Sequence, residues 1–231
     1  MASQWVGSMP PPPGVEPNLV DPPSRLSNNI ALHTVCLTLT SLLLATRLYT
    51  RIAINKTGLG LDDYFCVTSW GLSIAFSALM IKSYTYGVGR HIWDEPASWL
   101  VDALKWFSIA NCLYLVLTAC IKLTFLIFYY RIFSPQVQMR YWIIGGMIVV
   151  TCLNTGLFFA TVFKCAPVTK EWSSYLPGHC LNHIILPYLS GVSSSATDIF
   201  ILVLPIRLLW NLNMSLDRRL RISAVFGVGI L

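Results

Sequence analysis

Five apolar stretches, Asn29–Leu48, Asp63–Tyr84, Ala103–Tyr130, Tyr141–Phe163 and Ile184–Leu209, leave this chain few ways to fold. Each runs for about twenty residues or more, which as a helix rises roughly 30 Å, the thickness of a bilayer's hydrocarbon core. Backbone groups in lipid must be satisfied within the segment, so isolated strands are excluded. The runs are continuous rather than alternating, which excludes a barrel. The predicted class is therefore all-α, a polytopic transmembrane helix bundle with five complete spans. A sixth apolar segment, Leu220–Leu231 (LRISAVFGVGIL), follows a basic loop and reads as truncated, because its twelve residues rise only about 18 Å.

Composition agrees. Charged residues make up 11% of the chain and hydrophobic residues 55%, with a mean hydropathy of +0.62. A soluble domain carries roughly 25% charged residues. The formal charge of +6 does not point to nucleic acid, because the basic residues sit at segment ends rather than in one patch. The expected partner is the lipid bilayer. Residues 1–28 read as a disordered or extended tail, since seven of the 13 prolines precede Arg25 and the apolar run of a signal peptide is missing. Residues 29–231 then form the transmembrane domain, expected to be incomplete at its C-terminal end.

Lysines and arginines orient the spans. Arg47, Arg51, Lys56, Arg131, Arg140, Arg207, Arg218, Arg219 and Arg221 fall on one side. Arg25, Lys82, Arg90, Lys105, Lys164 and Lys170 fall on the other, and Lys122 lies inside a span. The bias of positive charge toward the cytoplasm places the N-terminus outside.

On that topology Cys165 and Cys180 bracket the longest external loop. Paired on an oxidising face, they would close a loop worth about 3 kcal/mol in the chain-entropy model; left free, they are two thiols at the membrane surface. The other five cysteines lie within spans and read as small apolar fillers.

Lys122 and Asp198 are the mid-span charges. Counted from the same end of their spans, their depths differ by only about 3 Å. Each continues a polar stripe, Asn111–Thr118–Lys122 and Ser190–Ser194–Asp198, at helical spacing. An isolated charge in hydrocarbon costs at least about 2.5 kcal/mol, so both are expected to face the bundle interior. They form either a polar pair with a switching role or two separately solvated groups that set helix packing.

Asp62 and Asp63 open the second span. Carboxylates there are favoured by the helix dipole and cap free amides, or else they pair with Arg47, Arg51 or Arg131 and hold loops together as part of a switch. Arg90, His91, Trp93 and Asp94 could recognise a ligand or pack a loop. The histidines show no metal-ligand spacing. No GxSxG, HExxH, phosphate loop or dinucleotide fingerprint is present, so neither enzymatic activity nor a cofactor is expected.

Six segments, taken in order, carry a resemblance. They are GLGLDDYFCV (Gly58–Val67), YGVGRHIWD (Tyr86–Asp94), KLTFLIFYYRIF (Lys122–Phe133), FKCAPVTKEW (Phe163–Trp172), GHC (Gly178–Cys180) and TDIFILVLPIRLLWNLNM (Thr197–Met214). The chain resembles the fungal rhodopsin-domain integral membrane proteins from its first span onward. The resemblance implies a seven-helix fold with an external N-terminus in the plasma membrane. It implies Asp62, Asp63, Lys122, Arg131, Cys165, Trp172, Cys180, Asp198 and Pro205 as family-typical positions. It does not imply retinal. Two functions follow as expectations: receptor-like sensing of an unknown small-molecule ligand with a heterotrimeric G protein as partner, or an accessory or transport role in a secondary-metabolite pathway.

The topology has a direct check. The sequons Asn55-Lys56-Thr57 and Asn213-Met214-Ser215 fall on the inner side and carry no glycan. An endoglycosidase-sensitive mobility shift at either asparagine would reverse the orientation.

Overall fold

The computed structural model describes residues 11–16, 18, 22–54, 58–133, 136–173, 176–182 and 184–211. The helices are α1 (Leu26–Tyr49), α2 (Leu61–Thr85), α3 (Ala97–Phe133), α4 (Val137–Val162) and α5 (Ile185–Asn211). All five are long and apolar enough to cross a membrane. The sixth segment Leu220–Leu231, the sequons at Asn55 and Asn213, Lys56, Arg218, Arg219, Arg221 and His183 lie outside the described residues.

The five spans coincide with the apolar stretches to within a few residues, except at the start of α3. That helix begins at Ala97 rather than Ala103. The extra residues Ala97–Asp102 (ASWLVD) carry Ser98 and Asp102 among apolar positions, which ends the unbroken apolar run at Ala103, and the Pro96 carbonyl accepts from Trp99 N–H at 3.0 Å where the helix starts. At 37 residues α3 is about 55 Å long and reaches beyond the hydrocarbon. A single π-helical turn, Thr50–Ile54, extends α1.

The helices alternate in direction. The N-terminal face of the bundle, where α1 starts, carries the α2–α3 and α4–α5 connections; the opposite face carries the α1–α2 and α3–α4 connections. α3 lies centrally and packs against α2, α4 and α5. On the N-terminal face a two-residue antiparallel pair, β1 (Cys165–Ala166) and β2 (His179–Cys180), sets Cys165 opposite Cys180.

Burial is distributed as lipid demands. α1 buries none of its residues, and Leu32, Val35, Leu39, Leu42 and Leu43 all point outward. Such a surface on a water-soluble monomer would be an aggregation site. Hydroxyls in the spans bond back to their own helices: Thr34, Thr38 and Ser41 donate to the carbonyls of Ile30, Thr34 and Leu37 at 2.8, 2.8 and 2.6 Å. Between helices, Trp70 Nε1 donates to Ser41 Oγ at 2.9 Å, and His33 Nδ1 lies 3.0 Å from Ser77 Oγ.

The apolar core sits where α3, α4 and α5 meet, around Leu126, Tyr129, Ile143, Val150, Ile201 and Leu204. Gly146 allows this approach: a Cβ there would lie 2.6 Å from Phe200 Cε1 and 3.6 Å from Leu126 Cδ2. Its neighbour Gly145 faces open space. Gly146→Leu is therefore expected to destabilise the bundle by about 1–3 kcal/mol through overpacking. Gly145→Leu should leave the thermal midpoint of the detergent-solubilised protein nearly unchanged. Equal shifts for the two substitutions would contradict this packing.

Candidate functional site

Two polar assemblies stand at different depths along α3. The first closes the opposite face. Asp62 and Asp63 occupy the first turn of α2, and each side chain is only 1% exposed. Arg47 Nη2 donates to Asp62 Oδ2 at 2.6 Å, and Arg47 Nε donates to Asp63 Oδ1 at 2.9 Å. Arg51, one helical turn further, donates to Asp62 Oδ2 at 2.8 Å and lies 3.6 Å from Asp63 Oδ2. From the end of α3, Arg131 Nη1 donates to Asp62 Oδ1 at 3.0 Å.

Asp63 also caps its helix, its Oδ2 accepting from Gly60 N–H at 3.0 Å. The two sequence readings of these carboxylates thus describe one arrangement rather than rivals. A helix start wants anions and helix ends want cations, so the termini of α1, α2 and α3 are complementary where they meet. Gly60 leaves room for it, because a Cβ there would collide with Asp62 Oδ1 and Arg131 Nη1. The guanidinium of Arg47 further lies 5.7 Å from the centre of the Phe128 ring.

The second assembly lies between α3 and α5. Lys122 Nζ is 3.2 Å from Asp198 Oδ1. The pair is unequal: the lysine side chain is 6% exposed and the aspartate 61%. Lys122 also donates to the Ser194 carbonyl and Ser194 Oγ, both at 2.9 Å, and to Thr197 Oγ1 at 2.6 Å. The polar pair and separate solvation therefore coexist. Thr197 stands seven residues after Ser190 and three after Ser194, on the same helix face as the Ser190–Ser194–Asp198 stripe, although the charge-led reading of that stripe passed over it. Asn154 of α4 was likewise unmarked and stands 3.3 Å from Thr118 Oγ1.

Two cavities flank this pair. A cavity of about 310 Å³ toward the N-terminal face is lined by Asn111, Thr161, Lys164, Asn182 and Ser190 among others. A deeper one of about 470 Å³ is lined by Lys122, Asp198, Phe125, Tyr129, Ile201 and Leu202 among others. Tyr114 and Ser194 line both.

Above them, the Cys165–Cys180 disulfide closes the loop between α4 and α5. Lys164 pairs with Glu171 at 2.6 Å, and Ser108 of α3 donates to the same carboxylate. Leu181 N–H donates to the Lys164 carbonyl at 2.8 Å.

In the α2–α3 connection, Arg90, His91, Trp93 and Asp94 do not converge on one point. His91 stacks on Trp93 with ring centres 4.7 Å apart, and the Arg90 guanidinium lies 6.0 Å from the Trp99 ring centre. Asp94 is buried and accepts from the backbone N–H of Asn18 at 2.9 Å, tying the tail to the loop. Burial pushes the Glu95 carboxyl above its ordinary range, with Arg90 acting against that rise. Glu95 packs on Gly87, whose φ of +111° and lack of Cβ leave the space it fills.

Five lipid-facing helices around small internal polar assemblies define a multi-pass membrane protein of the helical-bundle class. Within that class the chain belongs to the fungal rhodopsin domain family, whose pattern matches residues 46–231. A SAT4 family membrane protein of Emericella nidulans is 32% identical over 162 residues, covering 69% of this chain and 42% of the relative. Fugralins biosynthesis cluster protein 2 of Gibberella zeae is 26% identical, covering 96% of this chain and 56% of the relative. Receptor GIN3 of Arthrobotrys oligospora is 22% identical, covering 94% and 52%. The chain spans about half the length of the curated relatives it matches. No solved structure matches it.

The carboxylate cluster orders its own mutants. Asp62→Asn weakens the bonds to Arg47, Arg51 and Arg131 at once and leaves three partly exposed guanidiniums facing the single carboxylate of Asp63. It is expected to destabilise by about 3–5 kcal/mol, as breaking buried ion pairs does. Arg131→Ala removes a cation that is 41% exposed and reaches only Asp62 in this cluster, so its cost should fall below about 1 kcal/mol. Thermal unfolding of the purified variants reads the order, and an Arg131→Ala loss as large as that of Asp62→Asn would contradict it.

Proposed function

We propose that this chain is the transmembrane domain of a receptor-like protein. It senses a small molecule from the N-terminal face and acts on a heterotrimeric G protein at the opposite face. The observation that carries this reading is the placement of the two assemblies on one helix. α3 lines the cavities through Asn111, Tyr114 and Lys122 and ends in Arg131, which holds Asp62 at the other face. A shift of α3 against α5 would therefore be felt at the cluster. The charge bias of the loops supports an external N-terminus in the plasma membrane. The disulfide, on the same side as that terminus, suits an oxidising compartment. The name of the Arthrobotrys relative is in keeping with sensing. The reading assigns the chain no catalytic step.

A second reading is an accessory or transport role in a biosynthetic pathway. The relative from Gibberella is named for a biosynthesis cluster, and two cavities sharing Tyr114 and Ser194 form a polar way partly through the bundle.

Nucleotide exchange separates the two. In membranes carrying the full chain and a fungal G-protein α subunit, Arg131→Ala, which frees Asp62 from α3 at little cost in stability, is expected to raise basal exchange several-fold over wild type. An α subunit that neither co-purifies nor exchanges, together with lost metabolite export on deletion, would replace the first reading by the second.

A further inference from the structure

The deeper α3–α5 cavity has a lopsided hydrogen-bonding inventory. An ammonium has three N–H donors. Lys122 already faces the Ser194 carbonyl, Ser194 Oγ, Thr197 Oγ1 and Asp198 Oδ1, all within 3.2 Å. It has no donor left for anything that enters. Asp198 is the reverse case. Its Oδ1 meets Lys122, while among the described residues Oδ2 has only Ser194 Oγ at 3.5 Å, at the very limit of a hydrogen bond, and the side chain stays 61% exposed. Asp198 Oδ2 is therefore the charged acceptor that this wall presents to whatever enters. The remaining walls are Ile121, Phe125, Ile201 and Leu202 with the hydroxyl-bearing Tyr114, Thr118 and Tyr129, and the volume of about 470 Å³ lies within the range of small-molecule pockets.

We propose that this cavity binds a neutral, largely apolar small molecule that donates a hydroxyl hydrogen bond to Asp198 Oδ2. Charge decides the class. An anion would meet a carboxylate and find no free ammonium hydrogen. A cation would leave one uncompensated positive charge among apolar walls, because Lys122 already balances Asp198. A molecule with acceptors alone would strand Oδ2 without a donor as the cavity dries. The hydroxyl satisfies Oδ2 and leaves the pair neutral, while the walls take the hydrocarbon. Tyr114 and Ser194, common to both cavities, make the shallower one its approach from the N-terminal face. This assignment deepens the sensing reading and rests on it for what binding accomplishes.

The test is photoaffinity labelling of the full chain in lipid nanodiscs. Three diazirine probes on one aliphatic skeleton end in a hydroxyl, a methyl ether and a carboxylate. The alcohol is expected to label α3 and α5 peptides roughly fivefold more than the ether, the factor for one net hydrogen bond of about 1 kcal/mol. It should exceed the carboxylate by more. Asp198→Ala should reduce the alcohol to the level of the ether. Leu202→Trp, which fills the cavity and leaves the Lys122–Asp198 pair in place, should remove labelling by all three, so the outcome does not depend on the folding of one variant. Equal labelling by alcohol and ether, preference for the carboxylate, or labelling that survives Leu202→Trp would overturn the proposal. Labelling as expected without any G-protein exchange would uphold this site and remove the sensing reading. Exchange driven by an external extract, in protein that shows no alcohol preference, would do the opposite.

Discussion

A charged side chain in hydrocarbon must carry its counter-charge with it, and the arrangement of this bundle follows from that cost. Asp62 and Asp63 are almost wholly buried, yet they sit at the start of α2, where three arginines from two other helices converge. No single helix could satisfy them. α1 supplies Arg47 and Arg51 from adjacent turns, and α3 supplies Arg131 from its last turn. The cluster thereby ties the ends of three helices at one level. Lys122 obeys the same rule by another route, taking neutral oxygens from Ser194 and Thr197 in addition to Asp198.

The apolar contacts work under a different constraint. Lipid tails are as apolar as leucine, so burial of leucine against leucine gains little between spans, and close approach matters more. Gly146 against Phe200 and Gly60 against Arg131 are two places where a missing Cβ permits that approach. On the outward-facing helix α1, the hydroxyls of Thr34, Thr38 and Ser41 return to their own helix carbonyls and are satisfied there. The central helix α3 therefore touches α4 and α5 through a small apolar core beside the Thr118 and Lys122 hydrogen bonds, and α2 through polar and aromatic contacts such as Ser83 Oγ to the Ala103 carbonyl and Lys82 over Trp106.

This division gives α3 a particular position. At one end it meets the disulfide-closed loop through Ser108 and Glu171, in its middle it lines the cavities, and at the other end it holds Asp62. An element that contacts all three of these assemblies can bias each of them. That is the physical content of the proposed link between a small molecule and the opposite face.

The five spans and their all-α class were legible in the sequence, because lipid imposes a length and an unbroken hydropathy on any helix that crosses it. The near-equal depth of Lys122 and Asp198 was legible for the same reason, since rise per residue converts position into height. The family was legible too, from six ordered segments running from Gly58 to Met214. What could not be read was which helix faces which. Depth says nothing about rotation, so the sequence left open whether Lys122 meets Asp198 or is solvated by others, and the tertiary structure supplies both, adding Thr197 from the same face as Ser190 and Ser194. It likewise left Asp62 and Asp63 between a cap and an ion cluster. Those roles are decided by the approach of Arg47, Arg51 and Arg131 across space, a matter of helix packing angles and missing Cβ atoms that no single segment encodes. The sequence by itself determined the five described segments that are long and apolar enough to cross and at what depth each charge lies; only the tertiary structure decided the partners, because partnership in lipid is set by helix rotation and proximity rather than by hydropathy.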